Sequence, residues 1–181
     1  ESDHLSSNPT NVVGLSIVSP STNYAAYVSP TFENTMVVDG LTSDWDRNNP
    51  DNPANYALPG SIGGPMSVTV SGDNLVMSFD DLDNDIYVYF NTNDLAGSGT
   101  TTDGVHTLPF SGNYALEIIG NTLGLQSTDA NNDWNAAPLA NAQISEDSVI
   151  EVSIKLSSIG VSNADGFVEV VAIVEDAIGG D

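Results

Sequence analysis

The sequence contains no cysteine. Disulfide bonds therefore contribute nothing to stability, and thiolate metal sites and cysteine nucleophiles are excluded. Histidine is scarce as well: His4 lies in a polar leader and His106 at the start of a strand pattern. A histidine-centred acid–base or metal site would require these two distant residues to meet. We therefore predict that the protein is not an enzyme.

Basic residues are almost absent: the chain of 181 residues contains two, Arg47 and Lys155, against 25 acidic residues, which gives a net charge of -23. Such a chain is repelled by nucleic acid and by anionic lipid, so neither is an expected partner. No apolar run approaches the ~20 residues that a membrane span needs. The chain starts with Glu1 and not with methionine, which predicts a processed product that is secreted and acts outside the cell or at its surface.

Aspartate is abundant, with 18 of the 25 acidic residues, and it is concentrated in asparagine-rich loops. Hard cations such as Ca²⁺ take about six to eight oxygen ligands, and aspartate, asparagine and backbone carbonyls in flexible loops supply such oxygens. We therefore predict Ca²⁺ as the cofactor. The alternative is that the carboxylates only keep the protein soluble at high salt.

Two segments place oxygen-bearing side chains at alternate positions, with the spacing of the first half of an EF-hand loop. They are 81–85 and 129–133. The sixth positions are Ile86 and Trp134 instead of glycine, which argues against a true EF-hand, so other loops must complete the sites. The alternative is that these residues only form turns. The predicted ligands are Asp44, Asp46, Asp51, Asp80, Asp81, Asp83, Asp85, Asp129, Asn131 and Asp133.

Short β-branched or aromatic runs, separated by turn residues every eight to twelve positions, predict an all-β, jelly-roll-like antiparallel β-sandwich. In the run Val149–Leu156 polar and apolar residues alternate, which predicts one buried face, and Phe167–Val174 is apolar enough for a central strand. The segment 71–74 predicts a tight hairpin. The predicted strands are Val12–Val18, Tyr24–Val28, Thr35–Val38, Met66–Ser71, Leu75–Phe79, Ile86–Asn91, Val105–Phe110, Tyr114–Ile119, Leu123–Ser127, Val149–Leu156 and Phe167–Glu175.

Trp45 and Trp134 each lie beside an aspartate cluster. Flat aromatic faces contribute apolar area and can orient a sugar ring, so both are candidates for a glycan platform. The alternative for each is a lid on the hydrophobic core.

From Val37 onward the order of motifs resembles the family-9-type carbohydrate-binding and DOMON-like β-sandwiches. The segment 38–45, Val-Asp-Gly-Leu-Thr-Ser-Asp-Trp, is similar to the start of those domains, and 83–90, Asp-Asn-Asp-Ile-Tyr-Val-Tyr-Phe, to one of their strands. Two later strands, at 113–118 and 149–154, are also similar. The resemblance implies a jelly-roll-like sandwich, often with calcium and in some members with bound sugar.

Residues 1–36 precede this family-like domain of residues 37–181 and contain a strand-like segment. This segment can add as a strand to the sheet of a neighbouring subunit, and its apolar residues Val12, Val13, Leu15 and Ile17 are the candidates for that contact. The chain is similar in kind to the acidic, cysteine-free subunits of extracellular filaments and of calcium-dependent cannulae. We therefore predict a secreted, calcium-binding structural subunit that polymerises with itself by N-terminal strand addition. The alternatives are a segment that pairs within its own sandwich and a monomeric carbohydrate-binding module of the family-9 type.

Overall fold

The computed structural model describes residues 13–19, 22–28, 36–42, 45, 56–58, 66–80, 85–92, 99–161 and 167–175. Their strands are β1 (Val13–Ser19), β2 (Thr22–Val28), β3 (Tyr56–Leu58), β4 (Met66–Ser71), β5 (Asn74–Phe79), β6 (Asp85–Thr92), β7 (Thr100–Thr102), β8 (Thr107–Gly112), β9 (Tyr114–Ile119), β10 (Thr122–Thr128), β11 (Trp134–Ala136), β12 (Gln143–Glu146), β13 (Ile150–Lys155) and β14 (Phe167–Glu175). A 3-10 turn, Leu156–Ile159, follows β13. Within these residues no helix has the length and apolar character to cross a membrane.

The strands form two large sheets and a ribbon. The seven-stranded sheet has the order β11-β10-β9-β6-β14-β1-β2, the five-stranded sheet has the order β12-β13-β5-β4-β3, and β7 pairs with β8 alone. Neighbouring strands are antiparallel. The exception among the described strands is β1, which pairs in parallel with β14 from Gly14↔Phe167 to Ile17↔Val170.

The main core lies between the two large sheets, because alternate side chains of each strand point to the same face. Residues of β4, β5 and β13 from one sheet share a buried cluster with residues of β6, β9 and β14 from the other. The fully buried members of this cluster all lie between Val68 and Val170. The predicted all-β sandwich is thus confirmed.

A second, smaller cluster covers the outer face of the seven-stranded sheet. Leu108 and Phe110 of β8 are buried together with Tyr89 of β6, Ala115 of β9 and Val171 of β14. The β7–β8 ribbon therefore lies across the outside of the sheet and closes part of that face from solvent.

Several predicted strands match closely. β9 and β14 have the predicted limits, and β6 extends the predicted Ile86–Asn91 by one residue at each end. The predicted hairpin joins β4 to β5, with Gly72 at a φ of 57° in its turn. Glycine is suited to this left-handed conformation because it has no Cβ.

Two predictions were wrong. The described part of Thr35–Val38, residues 36–38, is irregular, and the Met36 N–H donates to Ser71 Oγ at 3.3 Å instead of joining a ladder. In β13 both faces are buried, since Glu151 and Ser153 are 0% and 5% exposed. On the polar face, Glu151 accepts hydrogen bonds from the backbone of Asp39 and Gly40, a contact that the alternating pattern does not predict.

Candidate functional site

The 129–133 turn between β10 and β11 is the predicted calcium cluster that the structure describes in full. Asp129 Oδ1 accepts the Asn131 N–H at 2.7 Å and the Asp133 N–H at 3.1 Å. These backbone donors, Asp133 first, hold the pKa of Asp129 below its usual value. Asn132 has a φ of 66°, in the left-handed region that asparagine tolerates. Asp129 thus acts as a turn former, while the side chains of Asn131 and Asp133 remain exposed.

The second predicted cluster is described only at its ends. Asp80 is exposed after β5, and Asp85 is half-buried at the start of β6. Within the described ranges, no three histidine, aspartate or glutamate side chains are grouped so that they could hold a metal ion. Calcium binding therefore stays a prediction. The predicted residues that lie outside the described ranges are Val12, Asp44, Asp46, Asp51, Asp81 and Asp83.

Among the described residues, a polar site is centred on a buried carboxylate, Glu151 in β13. Its Oε2 accepts the N–H groups of Asp39 at 2.9 Å and Gly40 at 2.8 Å, and its Oε1 accepts the indole N–H of Trp45. A fully buried carboxylate requires such donors, because transfer of an unpaired charge from water costs several kcal/mol. Glu151 and its three donors form what we call the Glu151 anchor.

Gly40 completes the anchor from the other side. Its carbonyl accepts the N–H groups of Ser148 at 2.9 Å and Val149 at 3.1 Å, and its φ is 80°. A Cβ at this position would lie 2.6 Å from the Asp147 nitrogen. Glycine is therefore the residue that both the backbone conformation and the close approach to the 146–149 turn require.

The anchor determines the role of Trp45. Trp45 is 3% exposed, so its ring is not a platform open to a ligand. Of the two tryptophans considered for glycan binding, Trp134 is the one that is partly exposed. The Asp-Gly and Trp residues of the family-like start are thus held together by one glutamate from a distant strand.

A second polar cluster joins the β7–β8 ribbon to the outer face of the large sheet. Asp103 Oδ1 accepts the N–H groups of Val105 at 2.8 Å and His106 at 2.6 Å. Its Oδ2 accepts the Tyr89 hydroxyl and lies 2.7 Å from His106 Nδ1. These contacts form the Asp103 clasp, which fixes the turn between β7 and β8 over the aromatic ring of β6.

The Asp103 carboxylate is fully engaged, because four contacts match the roughly four lone-pair positions of a carboxylate. Burial alone would raise its pKa, but the hydrogen bonds from Tyr89 and His106 outweigh burial and hold the pKa well below the usual 3.8. The clasp is therefore suited to holding the ribbon in place, and it has no acceptor to spare for a ligand.

We expect Asp103→Asn to lower the melting temperature at pH 7. The ionised carboxylate of Asp103 contributes stability above pH 3.8, and this contribution falls as the pH drops toward the lower pKa of the folded protein. The difference in melting temperature between wild type and Asp103→Asn should thus shrink as the pH falls from 5 to about 3. Circular dichroism melts across this range measure it, with the exposed Asp147→Asn as the matched control. A difference that grows in acid would contradict this role of the clasp.

Beside the clasp, the outer face of the large sheet carries a row of partly exposed residues. Strand register aligns Ile173 of β14, Tyr87 of β6, Glu117 of β9 and Gly124 of β10 across four strands. The centroid of the His106 ring lies 5.9 Å from that of the Tyr87 ring. We call these residues the outer shelf; it combines an aromatic ring with a carboxylate.

Two side chains next to the shelf, Gln126 and Trp134, are held by contacts within the protein. The Gln126 amide donates to Glu117 Oε1, and the Trp134 ring packs edge-on against Tyr89 with centroids 6.0 Å apart. The Trp134 indole N–H also reaches the Thr102 carbonyl at 3.4 Å. These contacts fix Trp134 against the ribbon while part of its surface stays open.

The sequence did not predict Glu151 or the Asp103–His106 pair as site residues. A glutamate in an alternating strand pattern is expected to be exposed to solvent. The burial of Glu151 depends on Gly40 and Trp45, which lie more than one hundred residues away in the sequence. For Asp103 the Asp-x-x-His spacing within a short turn was an available signal, because such a spacing permits a side-chain contact.

Comparisons of the chain with known protein families, with curated proteins and with solved structures give no match. The resemblance to carbohydrate-binding sandwiches therefore rests on the short motifs alone.

Proposed function

We propose that the protein is a secreted, calcium-binding structural subunit that assembles outside the cell by exchanging its β1–β2 hairpin between copies. The observation that carries this proposal is the position of the hairpin at one end of the seven-stranded sheet. β1 joins the rest of that sheet by the parallel ladder to β14, and β2 lies beyond it. An identical hairpin from a neighbour can make the same ladder, as in domain swapping.

Charge supports assembly through this hairpin. Residues 5–32 contain no acidic or basic side chain, and this is the longest such stretch in a chain of net charge -23. Two copies repel each other wherever their carboxylates face one another. A contact made by the hairpin avoids that repulsion.

The connection between hairpin and sandwich sets the reach of the exchange. Seven residues, 29–35, separate β2 from Met36. Met36 is held in the sandwich because its N–H donates to Ser71 Oγ, and Asp39 of the Glu151 anchor follows three residues later. A fully extended chain spans at most about 3.3–3.6 Å per residue, so this connection reaches about 25 Å. The acceptor must therefore be a copy in direct contact, which favours a regular polymer over loosely linked chains.

Calcium is proposed as the switch that lets the acidic faces approach. Ca²⁺ bound by the exposed aspartates between copies would neutralise charges that the two basic residues cannot. Such binding to the folded state raises thermal stability with the concentration of free ion.

We expect millimolar Ca²⁺ to raise the melting temperature more than a sodium salt of equal ionic strength does, and to produce polymers in negative-stain micrographs. Asp133→Asn removes an exposed carboxylate of the 129–133 turn and should reduce the shift, whereas the exposed Asp147→Asn should not. If the sodium salt gives the same shift and the micrographs show single particles in both salts, simple charge screening explains the composition.

The outer shelf favours a second candidate function, glycan binding by a monomeric module. Tyr87 offers a ring and Glu117 with Gln126 offers hydrogen-bonding groups on one partly exposed face. A pyranose ring binds to such faces through aromatic contact and hydroxyl hydrogen bonds.

If glycans bind at the shelf, we expect soluble polysaccharides to change the tryptophan fluorescence through Trp134, because Trp45 is buried. The change should be lost in Trp134→Phe and weakened in Glu117→Gln. A flat titration across a panel of polysaccharides would remove this candidate.

A further inference from the structure

β2 is the longest of the strands that end the two large sheets. It has seven residues, whereas the other end strands β11, β12 and β3 have three, four and three. An end strand presents a row of backbone N–H and C=O groups that can bind a further strand. The described structure therefore carries one long sheet edge among three short ones.

The sequence of this edge lacks the usual protection. Natural end strands are commonly kept from pairing by charged residues, prolines or bulges. β2 reads Thr-Asn-Tyr-Ala-Ala-Tyr-Val, without charge or proline, and its register with β1 runs without interruption from Thr22↔Ser19 to Val28↔Val13. The edge is thus regular enough to act as a template.

We propose that the outer edge of β2 pairs antiparallel with the outer edge of β2 in a second copy. Full overlap of the two seven-residue strands sets the register, because it centres the pair on Ala25 and aligns Tyr24 with Ala26 of the other copy. Each tyrosine then lies opposite a smaller residue, Ala26 for Tyr24 and Asn23 for Tyr27. The contact is a two-fold one and joins two large sheets into one.

A second copy is the partner that the charge distribution selects. The hairpin belongs to the uncharged stretch 5–32, so two copies meeting here bring no carboxylates of that stretch together. The inference goes beyond hairpin exchange, because β2 ends the sheet whether its hairpin belongs to the same chain or to a neighbour. The two contacts together would give lateral as well as head-to-tail growth.

Single cysteines in this cysteine-free chain test the pairing in the full-length protein. In the proposed register the two copies of residue 25 face each other with Cα atoms about 4.5–5.5 Å apart, within the range of about 4.4–6.8 Å that a disulfide requires. Residue 22 pairs with residue 28 of the other copy, so its two copies lie about 20 Å apart. Ala25→Cys should thus form disulfide-linked dimers at least about tenfold faster than Thr22→Cys under the same mild oxidation.

A rate for Ala25→Cys no greater than that for Thr22→Cys would overturn the proposal, whether both are fast or both are slow. Hairpin exchange does not bring two copies of residue 25 together, so this result is independent of the exchange. As a control, each reduced cysteine variant should have the melting temperature of wild type, so that the two oxidation rates are compared between folded proteins.

Discussion

Glu151→Gln is expected to destabilise the protein by about 2–4 kcal/mol, a fall in melting temperature on the order of 5–15 °C for a chain of this size. The amide keeps one acceptor oxygen but points an NH₂ group at N–H donors that now lack a partner. Those donors are the backbone of Asp39 and Gly40 and the indole of Trp45, and they surround a side chain with no exposed surface.

Chemical denaturation of Glu151→Gln and of its matched control Glu146→Gln measures this effect. Glu146 is an exposed residue of β12 that faces Ile150 in the same sheet, so its change should stay within about 0.5 kcal/mol. Trp45→Phe removes one of the three donors, and its effect should be less than additive with that of Glu151→Gln. Equal stabilities of the two glutamine variants would show that the anchor contributes nothing.

Deletion of residues 1–28 is expected to abolish calcium-dependent assembly while leaving a folded protein. The deletion removes β1, which forms the ladder to β14, and β2, which pairs with β1. The described core residues between Val68 and Val170 remain, and so do the Glu151 and Gly40 contacts. Backbone pairing lost at β14 should lower the melting temperature without removing the cooperative transition.

Light scattering and micrographs in Ca²⁺ measure assembly, and circular dichroism confirms the fold. Deletion of residues 1–11 is the matched control, because it shortens the chain but keeps both strands of the hairpin. The control should still assemble. A protein lacking residues 1–28 that forms the same polymer would show that assembly uses another surface.

The sequence predicted the strands whose pattern follows from burial. β14 is apolar because Val168 and Val170 lie in the main core and Val171 lies in the cluster under the ribbon, so both faces are packed. Strands β6 and β9 each place alternate residues in the main core. The three-residue strands β3, β7 and β11 are too short for a period of two residues to be visible. The missed strand β12 has four residues and no strong apolar pattern.

The candidate sites were harder to predict because they depend on contacts between distant segments. The burial of Glu151 follows from contacts with Asp39, Gly40 and Trp45, which are distant in sequence. The Asp103 clasp forms only because the ribbon lies on Tyr89. The Asp129 turn, in contrast, is a local feature, and its alternative interpretation as a turn former could be derived from sequence.

The central claim, exchange of the hairpin between copies, is tested most directly by mixing two single-cysteine variants, Ser16→Cys and Glu169→Cys. These residues are register partners in the parallel β1–β14 pair, and the chain has no other cysteine. Neighbouring strands lie about 4.8 Å apart, so the pair can form a disulfide. In the mixture, any disulfide between positions 16 and 169 joins different copies. Exchange predicts that Ca²⁺ followed by oxidation links the two variants into covalent heterodimers. Absence of such heterodimers, together with efficient bonding within single chains of the double variant, would contradict the exchange.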